Sequence, residues 1–322
     1  MDVVNWGMIG CGDVAEVKSG PGFQKAEGSA LIAVMRRDRA KAEDFARRHG
    51  VPRVYGEANA LIEDPEVDAV YIATPPSSHC ELALRVAVAG KPCLVEKPMA
   101  LNHTECVRMI AAFRQAQVRL WVAYYRRAQP RFLLVRDLLA KGRIGRVTSA
   151  QVHLSNRLAT GEAAKAWHFD PAIAGGGLLF DVGSHCVDLL DFFLGPIVSV
   201  GAFSTNTGGA YSAEDVTVAA FEFSGAVLGT GVFNFNSFEK TDRLVISGSE
   251  GELSTPIFGD ADIVLRRDGQ TEAYPTARPA HAHQPLIQTI VDELRGQGRC
   301  ESTGESGART SWVLDRCVAR GV

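Results

Sequence analysis

The stretch that decides the fold is Val3-Val4-Asn5-Trp6-Gly7-Met8-Ile9-Gly10-Cys11-Gly12-Asp13-Val14-Ala15. Val3 to Ile9 is an apolar run of strand length. G-x-G-x-x-A follows at once, at an expected strand-to-helix junction. Gly10 permits a tight turn, Gly12 lets the backbone approach a pyrophosphate, and Ala15 allows close packing of helix on strand. A helix N-terminus behind such a loop favours an anion. Gly10, Cys11, Gly12, Asp13 and Val14 are therefore candidate cofactor-binding residues. A glycine turn alone would be a weak sign. The pattern downstream decides for a dinucleotide site.

Downstream, short apolar runs alternate with amphipathic segments. Ala30–Met35, Ala69–Ala73, Cys93–Val95 and Leu120–Ala123 read as strands, and Ala40–His49, Glu81–Ala89 and Thr104–Gln115 as helices. This alternation predicts βαβ units and a doubly wound parallel sheet with helices on both faces. Past residue 124 the grammar changes. Pro130–Lys141 and Leu178–Phe193 read as helices, and Val147–Asn156, Val198–Ser204, Val216–Phe223, Val227–Phe235, Leu244–Ser247 and Ile263–Arg267 as strands. Ser224-Gly225 and Asp268-Gly269 are hairpin signals. Helices over Pro285–Arg295 and Glu305–Arg320 end the chain. The expected architecture is α/β. A Rossmann domain over 1–123 precedes an α+β domain over 124–322, whose open-faced sheet is mostly antiparallel.

Composition sets the limits. The 322 residues are 46% hydrophobic and 22% charged, with 34 Lys plus Arg against 37 Asp plus Glu. Those proportions are ordinary for a globular protein and exclude a disordered chain, a collagen and a coiled coil. A net charge of −3 offers no excess of positive charge for a nucleic-acid backbone. Seven scattered cysteines without C-x-x-C read as reduced thiols. No signal-peptide pattern or membrane-length apolar run is found, so the expected location is the cytoplasm.

The second strand should end, about 20 residues past the glycine loop, on a carboxylate that binds a ribose. Arg36-Arg37-Asp38 stands there. An arginine pairs a 2′-phosphate that a carboxylate would repel, so Arg36 and Arg37 favour NADP over NAD.

Three further motifs follow in order. Ile72-Ala73-Thr74-Pro75-Pro76-Ser77-Ser78-His79 closes one strand, and Val95-Glu96-Lys97-Pro98-Met99-Ala100 the next. Gly175-Gly176-Gly177-Leu178-Leu179-Phe180-Asp181-Val182-Gly183-Ser184-His185-Cys186-Val187-Asp188 comes later. Together with the glycine loop they resemble the Gfo/Idh/MocA oxidoreductases over nearly the whole chain. The resemblance implies a nicotinamide cofactor on the Rossmann domain, with sugars or polyols bound between it and the open-faced sheet. It implies that Lys97, Asp181 and His185 are catalytic. It also places Thr74, Pro75, Pro76, His79, Glu96 and Lys97 near the nicotinamide. Arg36 departs from relatives that carry an Asp at the ribose.

The chemistry fits these residue types. Hydride transfer at a carbinol carbon also moves a proton and develops charge on oxygen. The ordinary pKa of a histidine suits the first task, which makes His185 the candidate. Lys97 suits the second, or shares the proton relay. Asp181, four residues before His185, would lie on the same helical face and orient it. Asp188 extends that face, but no matched ligand set accompanies it, and no metal is expected. Tyr125, Arg126, Asn156 and Trp167, with His185, are candidate substrate contacts; Tyr124 and Arg157 lie beside them. His281 and His283, in a Pro-rich loop, are expected at the surface. The leading expectation is an NAD(P)-dependent dehydrogenase or reductase acting on a secondary alcohol or carbonyl of a sugar or polyol. The rivals are a non-catalytic NAD(P)-sensing binding protein and an NAD-dependent glycosidase. The open sheet predicts a homodimer or homotetramer; neither nucleic acid nor membrane is expected as a partner.

Overall fold

The computed structural model describes residues 2–318, the side chain of Lys165 excepted. Six strands form the first sheet: β1 (Val4–Ile9), β2 (Ser29–Met35), β3 (Arg53–Tyr55), β4 (Ala69–Ile72), β5 (Cys93–Val95) and β6 (Leu120–Val122). Their order is β3-β2-β1-β4-β5-β6, and every pairing is parallel. The intervening helices are α1 (Gly20–Lys25), α2 (Arg39–His49), α3 (Ala58–Ile62), α4 (His79–Val88) and α5 (His103–Gln115). The strands bury side chains on both faces, as a covered parallel sheet must. Trp6 and Met8 pack in one cluster with Phe23 of α1 and Phe45 of α2. Ile9 and Ile72 pack in the other with Leu61 of α3, Ala83 of α4 and Met109 of α5.

The second sheet is reached through α6 (Pro130–Ala140). Its strands are β7 (Val147–Ser155), β8 (Ile197–Thr205), β9 (Val216–Phe223), β10 (Leu228–Asn234), β11 (Thr241–Gly248), β12 (Glu252–Thr255), β13 (Ile263–Arg267) and β14 (Gln270–Tyr274). The order β14-β13-β12-β11-β7-β10-β9-β8 is antiparallel except for β10 beside β7. Between β7 and β8 run α7 (Pro171–Ala174), a wide π-type turn over Leu179–Gly183 and α8 (Ser184–Leu194). The last described elements are α9 (Gln284–Leu294) and α10 (Gly304–Val318). Alternate residues of β7, β9 and β10 pack with Phe132 of α6, Val187 of α8 and Leu314 of α10, leaving the other face of the sheet open. Both hairpin signals turn where expected, joining β9 to β10 and β13 to β14.

Five short elements escaped the sequence reading: β3, α3, α7, β12 and β14. Each has five residues or fewer, too short for periodicity to register. The expected helix over Leu178–Phe193 is instead a π-type turn leading into α8. The last two residues of the helix expected over Glu305–Arg320 lie outside the described residues.

The division near residue 123 also differs. The contacts separate residues 2–129, together with 279–308, from 130–278, together with 309–318. The return has a plain cause. Leu286, Ile287, Ile290 and Val291 form one apolar face of α9, buried in the cluster that holds Trp6 and Phe23. Each such side chain contributes about 1.5–3 kcal/mol of burial.

That return buries His283, contrary to the surface position expected for it. It is 3% exposed and its ring lies 4.4 Å from that of Tyr125. Burial pushes its pKa down from the ordinary 6.5 to about 4, against the pull of the Glu96 carboxylate. The neutral ring binds its proton less readily folded than unfolded. Stability should therefore be unaffected above about pH 6.5 and should fall as pH drops from there towards 4. Denaturant titrations at pH 7.5 and 4.5 on wild type and His283→Phe check this. The advantage of wild type over the variant should shrink by about 2 kcal/mol between the two conditions. Equal differences at both would show an unperturbed histidine.

Candidate functional site

The order of the first sheet reverses between β1 and β4, and this switch point opens a crevice at the carboxyl ends of the strands. Three loops meet there. Gly10 has φ +97°, and a Cβ on it would lie 2.8 Å from the carbonyl of Ala73 and 2.9 Å from Thr74 Cγ2. Only glycine lets the β1 and β4 loops approach so closely. Gly12, by contrast, has nothing within 4 Å of its own Cβ position. That open space beside a helix start is what a pyrophosphate requires, so the loop fits a dinucleotide. Cys11 is buried, Gly12 and Val14 are half-buried, and Asp13 is exposed.

Arg36 follows β2 beside this loop. Its Nη1 donates to the carbonyl of Cys11 at 3.1 Å, so the guanidinium is anchored against the glycine turn. Arg37 is exposed. Asp38 is already engaged: its carboxylate caps α2 by accepting the N–H of Lys41 at 3.2 Å. The acid nearest the expected ribose position thus serves a helix terminus.

The β4 and β5 loops are fastened together by His79. Its ring is fully buried, with Nδ1 3.1 Å from the Pro98 carbonyl and Nε2 2.7 Å from the Thr74 carbonyl. Burial lowers its pKa, and a neutral ring donates one of these two bonds. His79 therefore packs between the two loops, bonded to one carbonyl and in contact with the other. Thr74 and Pro75 are half-buried and Pro76 is buried, and Thr74 Oγ1 accepts from Ser78 Oγ at 2.7 Å.

Glu96 and Lys97 follow β5, and the Lys97–Pro98 bond is cis. The Glu96 carboxylate is buried. It accepts from Tyr71 Oη at 2.5 Å and from the Lys97 N–H at 3.1 Å, with His283 Nδ1 3.7 Å away. It thus fixes the backbone that carries the half-buried Lys97. Tyr125 is buried against His283, and the Arg126 guanidinium lies 5.3 Å from the Tyr125 ring centre. Tyr71 and His283 were missed in the sequence. The available signal was the apolar face of α9, which demands burial and carries its flanking residue inward.

The second unit holds the other expected residues. Asp181 lies half-buried in the π-type turn, and His185 is 3% exposed in the first turn of α8, with the Phe258 ring edge-on at 6.0 Å. Further along α8, Asp191 takes a two-pronged contact from Arg309 at 2.7 and 2.8 Å, and Asp188 accepts from the Thr310 hydroxyl at 3.4 Å. Asp188 is thereby tied to α10. No group of three or more His, Cys, Asp or Glu among the described residues could hold a metal ion. Asn156 follows β7, its N–H donating to the Asn234 carbonyl at 2.9 Å. Trp167 is 47% exposed and begins an aromatic row in which Phe169 stacks on Tyr211 at 4.3 Å. All seven cysteines are free and buried. No described helix is long and apolar enough to cross a membrane.

Comparisons with known proteins agree with this geometry. Residues 4–124 match the Gfo/Idh/MocA oxidoreductase family, NAD-binding Rossmann fold, and residues 132–254 match the Gfo/Idh/MocA C-terminal domain. Oxidoreductase P35 of Formosa agariphila is 38% identical over 315 residues, covering 97% of each chain. The 1,5-anhydro-D-fructose reductase of Ensifer adhaerens is 27% identical, covering 96% of this chain and 92% of that one. Among solved structures, the aldose-aldose oxidoreductase of Caulobacter crescentus in complex with glycerol superposes with a TM-score of 0.88. It is 23% identical and covers 97% of this chain and 96% of that one. With an open glycine loop at the switch point and matches spanning both units, this chain belongs to the Gfo/Idh/MocA family of oxidoreductases and carries its NAD(P)-binding Rossmann fold.

Proposed function

We propose that the protein is an NADP-preferring oxidoreductase that interconverts a secondary alcohol and a carbonyl on a sugar, polyol or related diol. The observation that carries this reading is the meeting of the Gly10, Thr74 and Lys97 loops at one switch point, with Arg36 anchored to the glycine turn. The name of the Ensifer relative, a reductase of an anhydro sugar, supports the substrate class.

A bound nicotinamide supplies or accepts the hydride at the carbinol carbon. The residues of the chain do the rest. His185 exchanges the proton at the substrate oxygen. Asp181 orients the imidazole and favours its charged form. The Lys97 ammonium stabilises negative charge developing on a substrate oxygen. Glu96 holds the Lys97 backbone through the hydrogen bond at 3.1 Å. The Thr74–Pro76 segment and Lys97 form the nicotinamide end of the cofactor site. Arg36 and Arg37 form its adenosine end and pair the 2′-phosphate. Tyr125, Arg126, Asn156 and Trp167 supply polar and aromatic contacts to the substrate.

We further propose self-association through the open face of the second sheet. Phe203 is 87% exposed, Val218 beside it 47% and Leu228 61%. Exposed apolar side chains gathered on one sheet face mark an interaction surface, and a second copy of the same face is the partner that suits it.

Three measurements test these assignments. Turnover of a panel of sugars, polyols and diols with NADPH and NADP should find a substrate. On it, Lys97→Ala should lower kcat by about 10²–10⁴-fold. NADPH affinity, read by fluorescence titration, should change less than about threefold in that variant. A cofactor-binding protein that turns over nothing on the panel would be a sensor instead. Arg36→Ala should weaken NADPH binding by at least about tenfold, the value of one charged hydrogen bond, while leaving NADH binding nearly unchanged. Equal losses for both cofactors would deny Arg36 the phosphate. Phe203→Glu should convert a dimer or tetramer to monomers by light scattering at micromolar concentration. A wild-type monomer under those conditions would refute the interface.

A further inference from the structure

The turn that leads into Asp181 and His185 begins on a glycine with no side chain to cap it. The Gly177 carbonyl accepts from the N–H groups of Phe180 at 3.0 Å and Asp181 at 3.2 Å, so the first turn hangs from this residue. The N–H of Gly177 donates to Glu214 Oε1 at 2.8 Å. Glu214 belongs to the loop between β8 and β9, far away in sequence. The approach is tight. A Cβ on Gly177 would sit 2.7 Å from the Glu214 carbonyl oxygen and 2.9 Å from the Ala213 Cβ. Glycine at 177 is thus required by the neighbour that holds it.

The holding arm is itself rigid. Asp215, next in sequence, is fully buried and accepts the N–H groups of Thr207 at 2.9 Å and Gly208 at 2.6 Å, and the Thr207 hydroxyl at 3.2 Å. Its own N–H donates to the Thr205 carbonyl, and its carbonyl accepts from Phe235. One acidic residue closes the loop, and its neighbour reaches out to the glycine run. A carboxylate there also suits the positive end of the following helix dipole. Burial raises the pKa of Glu214, with the Asp215 charge adding to the effect, so the site retains a carboxyl despite the cost.

We propose that Glu214 is a positioning residue: by accepting the Gly177 N–H it fixes where the helix carrying Asp181 and His185 begins, and hence where those two side chains stand relative to a substrate. This rests on the assignment of Asp181 and His185 made above. The wide turn over Leu179–Gly183 makes the starting point matter, because it is followed directly by the regular helix at Ser184. A shift at Gly177 would propagate through one continuous backbone to both residues.

Glu214→Leu and Glu214→Gln test it, since glutamine keeps an acceptor oxygen and leucine does not. Hydrogen exchange at the Gly177 amide reads the bond itself, and steady-state kinetics read its consequence. In Glu214→Leu the Gly177 amide should exchange at least tenfold faster and kcat should fall at least tenfold, with NADPH affinity within twofold of wild type. Glu214→Gln should restore both to within threefold. Unchanged exchange in Glu214→Leu, faster exchange without a kinetic change, or a glutamine variant as impaired as the leucine one would each overturn the proposal. Should Glu214→Leu fail to fold, Gly177→Ala serves in its place, and normal turnover there overturns it equally. If wild type turns over no substrate at all, the oxidoreductase reading falls, and the exchange measurement alone still decides whether Glu214 holds this turn.

Discussion

The approach of Gly10 to the Ala73 carbonyl is the constraint on which the first unit depends. A methyl group at position 10 would lie 2.8 Å from that carbonyl, and φ at this glycine is +97°. The contact exists because β1 and β4 are neighbours in a parallel sheet whose order reverses between them. Each strand must turn away into a helix on opposite faces, so the two loops part and leave a crevice. Gly12 keeps that crevice open, and Arg36 closes its far side by donating to Cys11. The cofactor loop is thus a consequence of sheet topology, with glycine as the only residue that tolerates it.

Buried polar groups do the fine positioning in both units. His79 ties the Thr74 loop to Pro98, and Glu96 gathers Tyr71 and the Lys97 N–H around one carboxylate. In the second unit Asp215, Glu214 and Asp191 play corresponding parts for a loop, a glycine run and a helix pair. Leaving such a group unpaired costs about 1–3 kcal/mol, so each arrangement penalises the alternatives to it. The backbone that carries Lys97 and the turn before Asp181 and His185 are thus each held by a glutamate, Glu96 and Glu214.

The legible parts of the sequence were those with a long period or a steric signature. Val216–Phe223 alternates cleanly because one face of its sheet is open, and its bounds match the strand observed. Cys93–Val95 was legible because it lies between two helical segments of unmistakable period. Arg53–Tyr55 and Gln270–Tyr274 were not, since three to five residues carry no period of their own. Ser78 and Gly183 illustrate another limit: they stand at the N-caps of α4 and α8 without any side-chain cap to announce them. The motif around Gly10 was readable because its sterics demand glycine, and those around Lys97 and Asp181 because they resemble the motifs of a known family. The supports were not, because a glutamate at 214 or a histidine at 283 has no local feature that distinguishes it from a surface residue.

By itself, then, the amino-acid order determined the two-part α/β architecture and the glycine loop. These follow from periodicity and from steric rules that act within a few positions along the chain. The tertiary structure decided that residues 279–308 rejoin the first unit, that His283 is buried and neutral, and that Glu214 meets Gly177. Such outcomes join segments tens to hundreds of residues apart. They depend on which apolar faces find one another, and local pattern carries no record of that pairing.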